Sequence, residues 1–351
     1  MSDVAAIAEF TPENNPHVKV MRGGYTLSNL KTLLKPAMEN KFGVVAINMR
    51  NKYIMEAVLE AAWREKSPVI LECAESEAKY CNMPPDRMAN FIYEGIDRMI
   101  EKYGYSVPVA VHQDHVQKDL TFIDRSVEAG FSSVEADLSK LPLKENIEKS
   151  KEIVNKLHPM GVSVELEEGE IGAAGALADP DMDKNIENYY TKVEDAYELA
   201  KEANPDALAV FVGNGHGKYL KEPRIGYDRI REIAEKIKEF DCPVVLHGGS
   251  GLTPKVFNDA IDAGAAKINY ATSVQAIFFD NMPEDLIRDM EAKGKELNRP
   301  MRKVYDLFEE RVDNDVPKEN LEKAVQAMIE HISMMMREGF RSSGKAELYK
   351  K

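Results

Sequence analysis

Three histidines each follow a short apolar segment of the chain, and this arrangement is typical of a shared metal site. The first segment, VAVHQDH, carries Asp114 and His115; the second, ALAVFVGNGH, carries His216, and the third, PVVLHGG, carries His247. If each apolar segment is a buried strand, the imidazoles lie where the strands end. Three imidazoles can hold one divalent metal ion and leave a coordination position open for a substrate. A single histidine of this kind would more simply cap a strand, but three in corresponding places favour the metal.

The composition is ordinary for a soluble globular protein and argues against two classes of partner. The chain has 351 residues, of which 44% are hydrophobic and 30% charged, and its formal net charge is −14. A negative charge of this size opposes binding to nucleic acid or to an anionic membrane. No apolar run approaches the roughly 18 to 20 residues of a membrane-spanning helix, and the N-terminus has no signal-peptide pattern. Three unpatterned cysteines fit a reducing compartment, so we expect a cytoplasmic protein.

A regular alternation of apolar strands and amphipathic helices follows a polar N-terminal arm, residues 1–24. Eight strands alternating with helices predict an α/β fold, specifically a (β/α)8 TIM barrel, and an open doubly wound sheet is the alternative. Residues 25–351 are predicted to form a single domain, including extra C-terminal helices within Ser273–Gly294 and Lys318–Gly339. The predicted strands are Gly43–Met49, Pro68–Ala74, Val107–Val111, Ser133–Asp137, Val162–Glu167, Ala207–Gly213, Pro243–Leu246 and Ala266–Ala271.

The barrel prediction gives the three histidines a common location. They follow the third, sixth and seventh predicted strands, and barrel enzymes carry their active sites at the C-terminal ends of the strands. Asp114 would serve there as a general acid or base, or would instead act as a turn residue. The segment HGGSG, which begins at His247, offers unobstructed backbone N–H groups and the Ser250 hydroxyl, and the helix that starts at Thr253-Pro254 has an N-terminus that favours an anion. Asn269, on the eighth strand, is placed to hydrogen-bond a substrate.

Four carboxylates lie on the fourth and fifth predicted strands: Glu135, Asp137, Glu165 and Glu167. Like charges inside a barrel are costly unless a cation pairs with them. They therefore indicate a second metal ion or basic partners that the sequence does not identify, unless several of them face solvent.

The motifs HQDH, GNGHGKY and HGGSG and the strand that carries Asn269 resemble, in this order and spacing, the class II metal-dependent ketose-bisphosphate aldolases. This family includes fructose- and tagatose-bisphosphate aldolases, and the resemblance runs from Thr26 to Ala346. It implies a TIM barrel that forms a homodimer or homotetramer. It also implies that His115, His216 and His247 bind a catalytic zinc, which polarises the carbonyl of dihydroxyacetone phosphate and stabilises its enediolate.

The resemblance also assigns roles to individual residues. Asp114 matches the acid that handles the proton of the aldehyde or hydroxyl group. Asp137 and Glu167 match carboxylates of a second or alternative metal position, for which a second metal or a monovalent cation is the expected occupant. Lys318 stands where the family has an arginine that grips the distal phosphate, and lysine lacks the bidentate fork of arginine. The residues that match the phosphate- and donor-binding positions are Gly217, Gly248, Ser250 and Asn269.

The departures from the family pattern concern proton transfer and the acceptor. The family carries a loop glutamate that moves the donor's C1 proton, whereas residues 172–176 contain no acid, so that Glu170, Asp179 or Asp181 would have to replace it. Ala74 and Ala271 also differ from residues common in fructose-bisphosphate enzymes. We therefore expect a small phosphorylated sugar substrate similar to fructose 1,6-bisphosphate, with an altered acceptor aldehyde. A metal-dependent sugar-phosphate isomerase or epimerase and a non-catalytic phosphosugar-binding protein are the alternatives.

Overall fold

The fold is a closed barrel of parallel strands, seen in a computed structural model that describes residues 27–349. Within this range eight strands pair in chain order, and β1 closes the barrel by pairing with β8. The predicted TIM barrel is confirmed. The strands are β1 (Val44–Asn48), β2 (Val69–Ala74), β3 (Val109–Val116), β4 (Ser133–Ala136), β5 (Ser163–Glu168), β6 (Ala207–Val210), β7 (Val244–Leu246) and β8 (Ala265–Asn269). The predicted arm, residues 1–24, lies outside the described residues.

Helices surround the barrel, and their hydrophobic faces pack against the outward side chains of the strands. None of the helices in the described part of the chain is long and apolar enough to cross a membrane. The helices are α1 (Leu30–Asn40), α2 (Lys52–Glu65), α3 (Glu75–Tyr80), α4 (Pro85–Tyr103), α5 (Thr121–Glu128), α6 (Leu143–Leu157), α7 (Pro180–Lys184), α8 (Val193–Ala203), α9 (Tyr227–Ile237), α10 (Pro254–Ala263), α11 (Thr272–Asp280), α12 (Glu284–Glu296), α13 (Glu309–Asp315) and α14 (Lys318–Glu338).

Helix α1 lies at the N-terminal end of the barrel. Its residues Leu30, Leu33 and Leu34 form a buried cluster with barrel residues such as Val44 and Ala209. The side chain of Asn29 caps the helix by accepting a hydrogen bond from the backbone N–H of Thr32 at 3.0 Å. This hydrophobic cluster closes the N-terminal end of the barrel and leaves the C-terminal end for an active site.

The C-terminal tail is helical, as predicted, but it is divided differently. The predicted stretch Ser273–Gly294 is two helices, α11 and α12, because Pro283 removes a backbone donor and Glu284 begins a new helix. The structure then continues through a short 3₁₀ helix, Met301–Leu307, and through α13. Helix α14 packs against α2 and α11 on the outside of the barrel.

The predicted end of the third strand, at Val111, is wrong. Strand β3 continues to Val116, and its pairing with β4 shifts register between Gln113 and Val116. His115 has a φ of 45°, in the left-handed region, which marks a β-bulge. Hydrophobicity ends at Val111 because the barrel interior is polar beyond that point, not because the strand stops.

Polar side chains fill the centre of the barrel just below the bulge. Glu72, His112, Glu165 and Lys267 are each 0% exposed. The Lys267 ammonium lies 2.8 Å from Glu165 and 3.5 Å from Glu72. Lys267 is thus the basic partner that the sequence did not identify, and its position on β8 explains how buried carboxylates are tolerated.

Candidate active site and metal centre

Three histidines converge at the C-terminal end of the barrel, as the sequence predicts. One ring nitrogen each from His115, His216 and His247 lies within 4.8 Å of the other two. The His115 Nε2 and His247 Nδ1 atoms are 2.8 Å apart. The ring centroids of His115 and His216 are 4.7 Å apart, and the rings meet edge to face. These nitrogens are close enough to share one ion.

The remaining ring nitrogens of two of these histidines are held by carboxylates. His115 Nδ1 lies 3.0 Å from Asp137 Oδ2, and His247 Nε2 lies 2.9 Å from Glu165 Oε1. Carboxylates placed behind metal-binding histidines orient the rings and raise their basicity. Asp137 therefore orients the His115 ring in this arrangement, whereas its predicted role as a direct ligand at a second metal position stays a prediction.

The electrostatics of the centre fit a divalent cation. Burial and the neighbouring His115 lower the pKa of His216 to about 3, so this imidazole is neutral and able to bind a metal. Burial opposes a charge on His115, but the nearby carboxylates of Glu135 and Asp114 outweigh it and raise its pKa. The pocket thus stabilises positive charge where the imidazoles meet. Three nitrogen donors with carboxylates around them are a suitable set of groups for zinc.

Replacement of Asp137 by asparagine should weaken metal binding without abolishing it. The amide keeps the size of the side chain but removes the negative charge that faces His115 Nδ1. We expect a loss of about 10- to 100-fold in zinc affinity, as is usual for a residue that supports a ligand. Competition between the protein and a chromophoric chelator measures this; an unchanged affinity would show that Asp137 does not support the ligand.

The bulge in β3 brings both Asp114 and His115 to the same site, although neighbouring residues of a regular strand point to opposite faces. Asp114 Oδ1 lies 3.9 Å from His115 Nε2. Its two oxygens accept hydrogen bonds from Asn48 and Asn269, each at 3.1 Å. Burial would raise the pKa of Asp114, but the imidazole of His115 and other nearby cations hold it well below its usual range. Asp114 is an ionised, fixed carboxylate beside the histidines.

The site opens into a cleft of about 590 Å³, one wall of which is rich in glycine. Gly217 and Gly248 line this wall with positive φ angles of 92° and 70°. A Cβ atom on Gly248 would come within 2.2 Å of the Gly215 carbonyl oxygen, so only glycine fits there. Ser250 and Asn269 also line the cleft, and the Ser250 oxygen accepts the backbone N–H of Ala271 at 3.1 Å.

The helix N-terminus that faces this wall is not the predicted one. Thr253-Pro254 begins α10 as expected, but neither residue lines the cleft. Ala271 and Thr272, which stand at the start of α11, do line it. An anion bound against the glycine-rich wall would therefore meet the N-terminus of α11. The direct passage from β8 into a helix was the signal that could have identified this position.

The sequence patterns do not indicate the cations on the outer part of the cleft. They come from four separate parts of the chain, and no local motif marks them. Their presence gives the cleft a local charge opposite to the net charge of the chain, which suits an anionic substrate. These residues are Lys79, Lys118, Lys140, Arg302 and Lys303.

The four carboxylates of β4 and β5 all face inward. Glu135 accepts the backbone N–H of His115 at 2.9 Å, and Glu165 pairs with Lys267. Glu167 accepts the Ser139 hydroxyl at 2.9 Å, and burial together with Asp137 raises its pKa to about 8. Its Oε2 atom lies 3.8 Å from His115 Nδ1, so Glu167 belongs to the same cluster. Its predicted role at a second metal position stays a prediction.

The structure does not bring Lys318 to the cleft. This residue begins α14 with a side chain that is 88% exposed, and its ammonium lies 3.1 Å from Glu322. Among the candidates for the loop acid, only Glu170 lines the cleft. Asp179 caps α7 instead, accepting the backbone N–H groups of Asp181 and Met182. The phosphate role predicted for Lys318 thus has no support within a single chain.

The fold and the site define a class of protein: a (β/α)8 barrel with three histidines that converge at the C-terminal ends of its strands. Comparison with known proteins gives the family. The family model described as "Fructose-bisphosphate aldolase class-II" matches residues 28–345. The chain therefore belongs to the class II fructose-bisphosphate aldolase family, and it is a lyase.

Individual relatives agree with this assignment. The fructose-bisphosphate aldolase of Staphylococcus aureus (strain Mu50 / ATCC 700699) is 33% identical over 278 residues, which cover 79% of this chain and 90% of that protein. The fructose-bisphosphate aldolase of Geobacillus stearothermophilus is 33% identical over 267 residues, covering 75% and 87%. Among solved structures, the YdjI aldolase from Escherichia coli K12 superposes with a TM-score of 0.69 at 25% identity, covering 91% of this chain and 99% of that one.

Proposed function

We propose that this enzyme catalyses the reversible, zinc-dependent aldol cleavage of a ketose bisphosphate to dihydroxyacetone phosphate and an aldehyde. Fructose 1,6-bisphosphate is the first substrate to consider, with an acceptor aldehyde that can differ from glyceraldehyde 3-phosphate. The observation that carries the proposal is the convergence of His115, His216 and His247 beside the ionised Asp114. The second metal or monovalent cation suggested by Asp137 and Glu167 remains part of the proposal.

The three imidazoles would hold the divalent ion, and their donor set fits zinc. When bound, such an ion acts as a Lewis acid that polarises the carbonyl group of the donor. The protein side chains orient the metal-binding rings, bind the substrate and transfer the protons. Asp137 and Glu165 keep the rings of His115 and His247 oriented, so the donor nitrogens stay directed at one point.

Asp114 is the proposed proton acceptor at the substrate's C4 hydroxyl group. In the cleavage direction its carboxylate takes the hydroxyl proton, the C3–C4 bond breaks, and the aldehyde forms while the electron pair stays on C3. In the synthetic direction the same group returns the proton to the aldehyde oxygen. The low pKa of Asp114 keeps it in the ionised form that cleavage requires.

The glycine-rich wall is the proposed binding place for the donor phosphate. Gly217 and Gly248 leave their backbone approachable, and the Ser250 hydroxyl and the start of α11 lie on the same wall. Asn269 adds an amide between this wall and Asp114. The cations on the outer part of the cleft, such as Lys118 and Arg302, would face the other charged end of the substrate.

Glu170 is the proposed carrier of the C–H proton of dihydroxyacetone phosphate, in place of the missing loop acid. It lines the cleft, and its carboxylate is 3.5 Å from the Lys140 ammonium, whereas Asp179 is used as a helix cap. Replacement of Glu170 by glutamine should lower the exchange of this proton with solvent by about 100-fold or more, the usual contribution of a general base. Hydrogen–deuterium exchange followed by NMR measures it. The matched variant Asp181→Asn should exchange normally, and normal exchange in Glu170→Gln would place the base elsewhere.

The decisive test is product analysis with fructose 1,6-bisphosphate and with dihydroxyacetone phosphate, using zinc-loaded and chelator-stripped protein. Zinc-dependent cleavage at ordinary aldolase rates would support the reaction and contradict an altered acceptor. Zinc-dependent proton exchange without cleavage would support an altered acceptor and lead to a screen of aldehydes. Interconversion of sugar phosphates without carbon–carbon cleavage would instead support an isomerase or epimerase. No reaction at all with zinc bound would contradict the proposal.

We also propose that the enzyme is a homodimer or homotetramer, as the family resemblance implies. The mass of one chain is 39.4 kDa, so the two states are well separated by light scattering coupled to gel filtration. A monomer over the range of working concentrations would contradict this part of the proposal.

A further inference from the structure

A buried ion pair forms part of the wall of the cleft and has no role in the proposed reaction. Glu77, on α3, is 3% exposed, and Arg50, just after β1, is 6% exposed. The Arg50 Nε and Nη2 atoms lie 2.7 and 2.6 Å from Glu77 Oε1, and Arg50 Nη1 donates to Gln275 Oε1 at 2.7 Å. Both Arg50 and Glu77 line the cleft, together with Asp114.

The two oxygens of Glu77 are fully engaged as hydrogen-bond acceptors. Oε1 accepts from Arg50 and from the Tyr80 hydroxyl, which is 3.1 Å away. Oε2 accepts from Asn48 Nδ2 at 2.8 Å and from the Ala74 backbone N–H at 3.3 Å. Because every neighbour is a donor, only a carboxylate satisfies all of them.

Asn48 connects this pair to Asp114. Its single amide nitrogen donates to Glu77 Oε2 at 2.8 Å and to Asp114 Oδ2 at 3.1 Å. Both acceptors are carboxylates, so the orientation of the Asn48 amide is determined by its two neighbours. Glu77 holds one side of the amide, and the other side holds Asp114.

We propose that Glu77, anchored by Arg50, is a positioning residue that fixes Asp114 through the amide of Asn48. Arg50 in turn is held by Gln275 on α11, so the chain of hydrogen bonds links that helix to the proton-transfer group. A misplacement of about 1 Å costs a catalytic group about 100-fold in rate, which gives such a support a kinetic effect. This inference rests on the proposed role of Asp114.

The test is Glu77→Gln in the zinc-loaded, full-length enzyme. The glutamine has the same shape, and its oxygen should stay with Arg50, which leaves its NH₂ group facing the Asn48 NH₂ group and the Ala74 N–H. We expect kcat for carbon–carbon cleavage to fall about 10- to 100-fold with KM nearly unchanged. Bound zinc and the proton exchange of dihydroxyacetone phosphate should remain at wild-type levels, because neither depends on the position of Asp114.

A matched control is available on the outside of the barrel. Glu60 on α2 is also buried and accepts hydrogen bonds from an arginine, a lysine and a tyrosine: Arg64, Lys102 and Tyr103. Glu60→Gln disturbs a similar network away from the cleft and should leave kcat unchanged. An equal loss of kcat in both variants would mean that the effect is one of general stability, and would overturn the proposal.

A second variant guards against a Glu77→Gln protein that fails to fold. The double replacement Arg50→Met with Glu77→Leu removes both charges together, a change that buried pairs often tolerate. The proposal predicts that this folded double variant still loses about 10- to 100-fold in kcat, since Asn48 has lost its support. Full kcat in a folded variant overturns it. Absence of cleavage in the wild-type enzyme would instead count against the proposed function itself.

Discussion

Replacement of His216 by alanine should abolish stoichiometric zinc binding and aldol cleavage together while leaving the fold intact. Neither ring nitrogen of His216 hydrogen-bonds to another described residue, so the ring loses only its edge-to-face contacts with His115 and His247. Its backbone contacts with Gly172 and Ala174 do not depend on the side chain. A three-histidine site that loses one ligand should bind zinc much more weakly, and the loss of Lewis-acid catalysis is worth several kcal/mol, on the order of 1,000-fold or more in kcat.

The measurement combines metal analysis of the purified variant, thermal unfolding and the cleavage assay. His158→Ala is the matched control, because His158 pairs with Asp206 at 2.8 Å and does not line the cleft. The control should keep its zinc and its kcat. Wild-type zinc content in His216→Ala, measured at the same free zinc concentration, would remove His216 from the set of metal ligands.

The convergence of the three histidines was predictable because its signal is local. Each histidine lies within a few residues of the end of an apolar segment. The rule that parallel strands end at one face of a barrel then brings His115, His216 and His247 together without further information. The eight strands were predictable for the same reason. A strand that is buried on both faces of its sheet appears in the sequence as a continuous apolar run. These parts of the fold depend on short stretches of sequence.

Other features depend on contacts between distant residues, and local patterns do not contain them. The pairing of Lys267 with Glu165 joins β8 to β5 through the barrel centre, and neither residue has a neighbour in sequence that indicates the other. Strand β3 ends at Val116, five residues beyond its predicted end at Val111, because the residues after Val111 face a polar barrel interior and only their pairing with β4 shows that the strand continues. The pair of Arg50 and Glu77 was missed because its partners are distant in sequence and charged residues usually face solvent.

Replacement of Asp114 by asparagine should separate the two halves of the reaction. The asparagine keeps the size of the side chain but cannot accept a proton, and a general acid or base typically contributes about 100- to 10,000-fold. We expect kcat for cleavage of the ketose bisphosphate to fall by this factor. The C–H proton of dihydroxyacetone phosphate should still exchange with solvent, because that step is assigned to Glu170.

The hydrogen bonds of Asp114 also make this variant a test of geometry. Asn48 and Asn269 donate to its two different oxygens, so an asparagine at position 114 must direct its NH₂ group at one of the two donors. One of these amides should therefore turn away, and its signal should shift in the NMR spectrum of the side-chain amides. Asp137→Asn, which leaves both amide contacts unchanged, is the control for charge removal near His115. If proton exchange is lost along with cleavage in Asp114→Asn, then Asp114 serves the donor half-reaction as well, and the assignment of Glu170 must be revised.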